Sequence, residues 1–264
     1  MTRFAGGSDL WPAGPAVSPP VLVAQSWSDA VFLHWRIPAS TAQRYLPPLV
    51  EPDVFFGSTW VGLIGFRLHG TRLGGAVPVP WIGSFTEVNV RLYTRGADGS
   101  RGVLFVSLDA SRLPAVLAAR AAGIPYVFSR CRPKHRQRTD TFGYDVERFR
   151  GQAHSSFEVE PDFSRQAADP LSLEVTARFG AHARIAGRTV FVPNSHRPWP
   201  LHPAHLTSLD DGLLPAAGFG ISGPPESVLF SPGVRTIFGA PRRVRSTGTR
   251  TQQGVTRHPG WTQE

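Results

Sequence analysis

The residue types best suited to chemistry lie in residues 85–93, FTEVNVRLY. Side chains alternate along an extended strand, so one face carries Glu87, Asn89, Arg91 and Tyr93. A carboxyl group can act as an acid or a base, and a guanidinium can bind a carboxylate through two parallel hydrogen bonds. If this face points inward, its charges must be paired or ligand-bound, because a buried unpaired charge is costly. The alternation equally allows a solvent-exposed face, with the valines and the leucine between these residues forming the core.

Two other segments contain candidate residues. His34 and Arg36 lie two residues apart within residues 21–38, so they share a face if that segment is extended. A histidine can serve as an acid or a base near neutral pH, although a histidine among aromatic residues is often structural. Arg36 is a second candidate for a ligand carboxylate. Trp199 lies in a proline-rich segment, residues 194–201, and either borders a pocket or packs a turn.

Motifs for metal and cofactor binding are missing from the sequence. The nine histidines are dispersed, and neither HExxH nor CxxC spacing occurs. The phosphate-binding GxxxxGK[ST] pattern is missing as well, and no GxGxxG pattern lies between a predicted strand and a predicted helix, as dinucleotide binding requires. The single cysteine, Cys131, cannot form an internal disulfide and has no combination of a histidine and an acid near it in sequence. We therefore expect neither a metal nor a cofactor.

The chain is basic, with a formal net charge of +9. Clusters occur only in residues 130–138 and 242–250, and no helix-turn-helix, zinc-finger or RNP signature accompanies them. Nearly all the basic residues are arginine, a bias that a GC-rich genome also produces, so we do not expect a nucleic-acid partner. The longest apolar runs are too short to span a bilayer, and the N-terminus lacks the apolar core of a signal peptide. These features predict a cytoplasmic protein without a membrane partner.

The elements that must position these residues are mainly strands. Short segments rich in β-branched and aromatic residues recur between Gly, Pro and Asp, which predicts an antiparallel sheet closed or folded on itself. We predict helices at residues 111–122, capped by Ser111 and ended at Gly123, and at residues 203–212, with a helical turn in residues 40–48. Asp109 precedes the first of these helices and is expected to cap it. The predicted class is α+β with strands dominant.

The chain is long enough for one large domain. Residues 1–20 and 246–264 are polar or rich in Pro and Gly, so we expect flexible tails around a single domain at residues 21–245.

Several segments, in order, resemble the bacterial family labelled domain of unknown function 2071. They are AQSWSDAVFLHWRIP, WVGLIGFRLHG, FTEVNVRLY, GVLFVSLDAS, SHRPWPLHPAHL and LFSPGV, and they extend over nearly the whole predicted domain. That family resembles, more distantly, acetoacetate decarboxylase, whose fold is a conical barrel of antiparallel strands around a mostly apolar cavity. The resemblance implies the same fold here.

The resemblance also implies site residues. Glu87 matches the position of the decarboxylase's active-site glutamate. After Pro125 the decarboxylase pattern has two lysines, whereas this chain has Tyr126 and Val127. A Schiff-base decarboxylase needs a neutral lysine amine as its nucleophile. The only lysine, Lys134, lies nine residues further on in a basic segment typical of a solvated turn, so Schiff-base chemistry is not expected.

These observations predict a cavity protein for a small, largely apolar organic acid or carbonyl compound. Arg91 or Arg36 would meet its carboxylate, with Asn89 and Trp199 as further contacts. If the protein is an enzyme, Glu87 would be the base and Tyr126 or His34 the acid in enolisation, hydration, dehydration or lactone opening. The alternatives are a non-catalytic binding or sensing domain and, less favoured, a nucleic-acid-binding protein. Assembly into a homo-oligomer is left open.

Overall fold

The computed structural model describes residues 13–81 and 83–246. The strands in this part of the chain are β1 Val21–Ile37, β2 Val50–Pro52, β3 Thr59–Leu73, β4 Val77–Pro78, β5 Phe85–Gly96, β6 Arg101–Ala110, β7 Tyr126–Arg136, β8 Thr141–Arg148, β9 His154–Pro161, β10 Gly180–Ile185, β11 Arg188–His196, β12 His202–Asp211, β13 Ser227–Gly239 and β14 Arg242–Arg243. The helices are α1 Ala39–Gln43, α2 Leu113–Ala121, α3 Pro170–Thr176 and α4 Leu213–Ala216. The predicted strand-dominated class with a few short helices is confirmed.

Hydrogen-bonded neighbours can be followed around the sheet in two closed circuits. The first runs from β6 through β7, β8, β9, β12 and β13, then back through β1, β3 and β5. The second runs from β6 through β10 and β11 to β13 and returns by the same strands. Strands β13, β1, β3, β5 and β6 therefore form a wall common to both circuits. The β6–β7 and β6–β10 pairings are parallel, so the sheet is mixed rather than purely antiparallel as expected.

The shared wall is apolar on both faces because each face borders its own core. One cluster contains Leu33, Val61 and Val90 of the wall together with Phe157 and other side chains of β7, β8 and β9. The other face contributes a second set, which packs against α3, β10 and the loop before β12; among its members are Phe32, Ile64, Phe66, Tyr93 and Val103. Strands buried on both sides lose the alternation of apolar and polar residues that marks a half-exposed strand. This explains why WVGLIGF in β3 is apolar throughout.

Two local predictions are wrong. Residues 203–212 lie almost entirely in β12, which pairs with β9 over seven residue pairs, because pairing with the sheet edge overrides local helix signals. Helix α2 forms where predicted, but its cap residue is Arg112 and no side chain caps it. Ser111 instead bonds to the backbone of Thr86. The predicted end is confirmed, since Gly123 follows the helix with φ of +81°.

Part of the expected N-terminal tail contacts the body of the fold. Residues 1–12 lie outside the described residues, as do residues 247–264 at the other end. Gly14 donates a backbone hydrogen bond to the carbonyl of His196 at 3.0 Å, which places residues near it against β11. Among the described residues, none of the four helices has the length and apolar character that a bilayer crossing requires.

Candidate functional site

Three strands of the shared wall bring His34, Gly62 and Arg91 into one lateral row. Strand pairing sets His34 of β1 opposite Gly62 of β3, and Gly62 opposite Arg91 of β5. A Cβ atom on Gly62 would lie 3.2 Å from the His34 ring and 3.2 Å from the Tyr93 hydroxyl. A side chain at this position would therefore crowd both groups, so the glycine lets His34 and Tyr93 approach the strand closely, on the face of the second apolar cluster.

The pairings of β5 with β6 and of β6 with β7 place Tyr126 close to Glu87. Asn89 lies opposite Leu108 of β6, and Leu108 pairs with Tyr126 through the parallel β6–β7 contact. The Tyr126 hydroxyl donates a hydrogen bond of 2.6 Å to Glu87 Oε2, and Asn89 Nδ2 donates one of 3.2 Å to Glu87 Oε1. Polar residues of β5 that the sequence placed on one face thus form a connected group.

Glu87 is a carboxyl group whose pKa lies close to neutral pH. Its side chain is buried, and loss of hydration raises its pKa from 4.5 to about 7. Hydrogen bonds from Tyr126 and Asn89 and the charge of Arg91 oppose that rise, while the charge of Asp109 adds to it. At neutral pH, Glu87 can therefore both accept and release a proton.

Arg91 is a buried cation that forms no direct ion pair with any described residue. Within the described part of the chain, no carboxylate forms a salt bridge with it, and its Nε has no acceptor. Loss of hydration lowers its pKa, although the nearby Tyr93 and Glu87 oppose that shift. Its guanidinium carbon lies 5.7 Å from the centre of the Phe32 ring. The side chain nonetheless keeps some accessible surface.

Further buried polar atoms around Arg91 are unpaired. Both ring nitrogens of His34 and Oδ1 of Asn89 are without a hydrogen-bond partner among the described residues. The Tyr93 hydroxyl is close enough to Arg91 for the two to interact electrostatically, but it does not complete a hydrogen bond of good geometry. Burial, followed by the charges of Arg91 and Arg178, lowers the pKa of His34 well below its usual value. His34 is therefore neutral at pH 7 and can donate at one ring nitrogen and accept at the other.

A second charged cluster supports this group from behind Tyr93. The guanidinium carbon of Arg178 lies 5.2 Å from the centre of the Tyr93 ring, and Arg178 forms salt bridges with Asp53 and Glu174. Arg101 bonds to the same two carboxylates at 2.8 and 2.5 Å. Sequence reasoning missed this cluster, because its members come from three separate segments: Glu174 and Arg178 are four residues apart, whereas Asp53 and Arg101 are distant in sequence.

Asp109 does not cap α2, contrary to the prediction. It is fully buried and accepts hydrogen bonds from Arg148 Nε at 2.7 Å and Nη2 at 2.8 Å, and from Ser129 at 2.6 Å. Asp109 does not reach the start of α2 because it still lies within β6, as the last residue but one of that strand. Its side chain points across the neighbouring strand toward Arg148 of β8. Ser107 and Asp109 are polar at a two-residue spacing in an otherwise apolar strand, and that was the available signal.

The remaining candidates lie apart from the Glu87–Arg91 group. Arg36 is half-exposed at the end of β1, where its Nε bonds to Glu226 at 2.5 Å and its Nη1 donates to the Phe56 carbonyl. Trp199 is partly buried and belongs to the aromatic side of the second cluster. The structure thus brings together Glu87, Asn89, Arg91, His34 and Tyr126, but not Arg36.

Lys134 and Cys131 are not placed for nucleophilic chemistry. Lys134 Nζ bonds to Asp145 at 2.7 Å and Glu158 at 3.2 Å. Partial burial lowers its pKa, but these two carboxylates outweigh that effect and raise it. Burial, followed by the charges of Asp109 and Glu87, raises the pKa of the Cys131 thiol. Within residues 13–81 and 83–246, no three His, Cys, Asp or Glu side chains are grouped to hold a metal ion.

Comparison with known proteins adds a sequence family and a fold. Residues 24–235 match the model of DUF2071, described as an uncharacterized conserved protein. The chain is 27% identical over 211 residues to the uncharacterized protein YqjF of Bacillus subtilis strain 168, covering 78% of this chain and 84% of that protein.

Solved structures with similar folds have low sequence identity to this chain. An acetoacetate decarboxylase-like enzyme from Sphingomonas wittichii RW1 has a TM-score of 0.62 at 12% identity, covering 92% of this chain and all of that one (100%). The acetoacetate decarboxylase of Legionella pneumophila strain Philadelphia 1 gives 0.61 at 13% identity, with coverages of 88% and 91%. The enduracididine biosynthesis enzyme MppR, in complex with the condensation product of pyruvate and imidazole 4-carboxaldehyde, gives 0.58 at 14%, with 88% and 92%. These similarities show the acetoacetate decarboxylase-like fold.

Proposed function

The chain belongs to the DUF2071 family, and from that starting point we propose that it binds a small organic acid or carbonyl compound beside Arg91 and Glu87. We propose further that Glu87 acts on this compound as an acid and base without forming an imine. Arg91 carries the proposal, because it is a desolvated cation that forms no salt bridge among the described residues and whose Nε has no acceptor there, with only the more distant charge of Glu87 to offset it. Such a charge is costly unless something compensates it, and a ligand carboxylate fits a guanidinium through two hydrogen bonds.

An enclosed space around these side chains accounts for two observations that otherwise conflict. Arg91 and Tyr126 keep part of their accessible surface, yet loss of hydration dominates the pKa shift of each. Both hold for side chains that border a small internal cavity rather than bulk water. A polar ligand there would also supply partners for the unpaired atoms of His34 and Asn89.

The chemistry follows from the position of each group. Ionised Glu87 takes a proton from the carbon next to a ligand carbonyl, or from a water molecule that attacks it. Arg91 stabilises the negative charge that develops on the carbonyl oxygen, because a fixed charge in a dehydrated site acts strongly. Protonated Glu87 then returns the proton. A pKa of about 7 suits both directions of this transfer.

An imine mechanism does not fit the chain. Its single lysine, Lys134, is held as an ammonium by Asp145 and Glu158, so it lacks the free amine that would attack a carbonyl. The resemblance to acetoacetate decarboxylase implies that Tyr126, which bonds to Glu87, lies where that enzyme has a lysine, and a phenol cannot form a Schiff base. We therefore place the reaction among enolisations, hydrations, dehydrations and lactone openings.

MppR supports the class of compound. That enzyme has a similar fold and was solved with the condensation product of pyruvate and imidazole 4-carboxaldehyde. Pyruvate itself is a carboxylic acid with an adjacent carbonyl group. Pyruvate is therefore the first compound to test, since enolisation exchanges its methyl protons for deuterium in heavy water.

The test combines binding with proton exchange. Calorimetry with pyruvate should show 10- to 100-fold weaker binding in Arg91→Met, because a charge-assisted hydrogen bond contributes about 1.5–3 kcal/mol. Arg36→Met is the matched comparison and should bind as the wild type does. Glu87→Gln should still bind, but should lose exchange of the methyl protons as measured by NMR. Equal binding by wild type and Arg91→Met would contradict the proposal.

A binding or sensing domain is the second candidate, and one observation favours it. Burial and the neighbouring Glu87 raise the pKa of Tyr126 well above its usual value, which makes this phenol a poor acid. Arg91-dependent binding with no proton exchange, and no loss of any bound acid over time, would support this second function instead.

A further inference from the structure

An open cleft of about 340 Å³ lies over the second apolar cluster. One wall contains Leu173 and Thr176 of α3 and the next residue, Ala177, and the other wall is the loop between β11 and β12, residues 198–201. No described residue that lines the cleft carries a charge. A cavity of roughly 150 Å³ is enough to hold benzene, so this cleft has room for an indole ring.

The N-terminal segment of the described chain runs along β11 toward this cleft. A Cβ atom on Gly239 would lie 2.5 Å from Val17 Cγ1 and 3.2 Å from Pro193 Cγ, so Val17 lies close to Pro193 of β11. Three residues earlier, Gly14 donates a backbone hydrogen bond of 3.0 Å to the carbonyl of His196. The neighbours on β11 thus rise from 193 to 196 while the segment falls from 17 to 14. The segment is antiparallel to β11, and the residues before it are directed toward the loop that follows β11.

Gly14 contacts a residue close to each wall of the cleft. A Cβ atom on Gly14 would lie 2.9 Å from Phe179 Cδ1 and 2.9 Å from the backbone nitrogen of His196. Ala177 of one wall is two residues from Phe179, and Pro198 of the other wall is two residues from His196. Two extended residues span at most about 7 Å. Both walls are therefore within reach of the chain just before Gly14.

The chain before Ala13 has an apolar side chain suited to the cleft. Residues 10–12 are Leu-Trp-Pro and lie outside the described residues. Trp11 is three residues from Gly14, which gives its backbone a reach of about 10 Å. We propose that the indole of Trp11 occupies the cleft, where an uncharged lining favours burial of a large aromatic side chain.

This contact has a consequence for the cover of the second apolar cluster. Val175 of α3 and Leu201 of the loop both belong to that cluster. An indole between the two walls connects them, so the N-terminal segment holds α3 and the loop together. The inference is independent of the proposed function, because it involves neither Glu87 nor Arg91.

The test uses fluorine NMR of the full chain labelled with fluorotryptophan. The signal that is lost in Trp11→Phe belongs to Trp11, and the signal lost in Trp81→Phe belongs to Trp81, which is 87% exposed. A docked Trp11 should resonate away from its position in the urea-unfolded protein. A soluble gadolinium chelate should broaden its signal several-fold less than that of Trp81.

A matched pair of variants tests the position of the contact. Ala168→Arg places a charged side chain in the cleft from an exposed position, so it should move the Trp11 signal to its unfolded position and make it as sensitive to the chelate as Trp81. Ala118→Arg changes an exposed alanine of α2 outside the cleft and should leave the Trp11 signal as in wild type. An unchanged signal from Trp60, which is fully buried, shows that each variant is folded.

Two results would overturn the proposal. A wild-type Trp11 signal at its unfolded position, broadened as strongly as that of Trp81, would show that this segment does not occupy the cleft. A protected Trp11 signal that Ala168→Arg leaves unchanged would show that the segment docks elsewhere. Neither result bears on the binding of pyruvate beside Arg91.

Discussion

Replacing Glu87 with glutamine should stabilise the protein at alkaline pH and not at acid pH. The amide keeps the size of the side chain, but its single oxygen can replace only one of the two carboxylate oxygens that accept from Tyr126 and Asn89. That loss of an acceptor does not titrate with Glu87, whereas the loss of ionisation does. The pH dependence of the effect on stability therefore reports the burial of this negative charge.

The magnitude follows from the pKa of Glu87. The folded protein holds this proton more tightly than the unfolded chain, since the pKa rises from 4.5 to about 7 on folding. Stability therefore falls as the pH rises between those two values. Each pKa unit is worth about 1.4 kcal/mol, so the wild type loses about 3 kcal/mol in all, of which about 2–3 kcal/mol falls between pH 5 and pH 9.

Urea denaturation of both proteins at several pH values measures this loss. The free energy of unfolding of Glu87→Gln minus that of wild type should rise by about 2–3 kcal/mol from pH 5 to pH 9, because other titrating groups cancel in the difference. Glu160→Gln changes an exposed glutamate and should show no such rise. A difference for Glu87→Gln that stays within about 0.5 kcal/mol over this range would refute the reasoning.

Two further predictions concern the buried ion pair of Asp109 with Arg148 and the buried thiol of Cys131. Arg148→Met leaves the carboxylate of Asp109 buried without its partner and should cost about 3–5 kcal/mol, whereas adding Asp109→Asn should recover most of that loss. Urea denaturation of the two single variants and the double variant measures this, and a loss under about 1 kcal/mol in Arg148→Met would contradict it. Cys131 should react slowly with Ellman's reagent in the native protein, since burial raises its thiol pKa, and quickly in denaturant. Fast labelling of the native protein would show that the thiol is accessible.

The sequence predicted the polar face of β5 but not its surroundings. Alternation alone placed Glu87, Asn89 and Arg91 together, and the strand pairings confirm that face. It could not decide whether the face was buried, because that depends on β10, β11 and α3, which are distant in sequence. The partner of Asp109 was hidden for the same reason: Arg148 is 39 residues away and reaches it only through the order of strands.

The resemblance to a known family predicted the fold better than local patterns did. Helix α2 has local signals, with a glycine at its end, and it forms where expected. Residues 203–212 have comparable signals, but they form a strand because β9 offers an edge to pair with. Local propensity is a weak guide wherever tertiary pairing competes with it.

The pairing of β1 with β13 has a consequence for synthesis of the chain. Among the strands that the structure describes, β1 is the first to leave the ribosome, and one of its two neighbours is β13, whose first residue, Ser227, pairs with His34. At 5–20 residues per second, roughly 10–40 s pass before that partner emerges. One edge of a long apolar strand stays unpaired during this time, and such edges invite association with other chains. Both circuits contain β13, so neither can close until that strand has emerged.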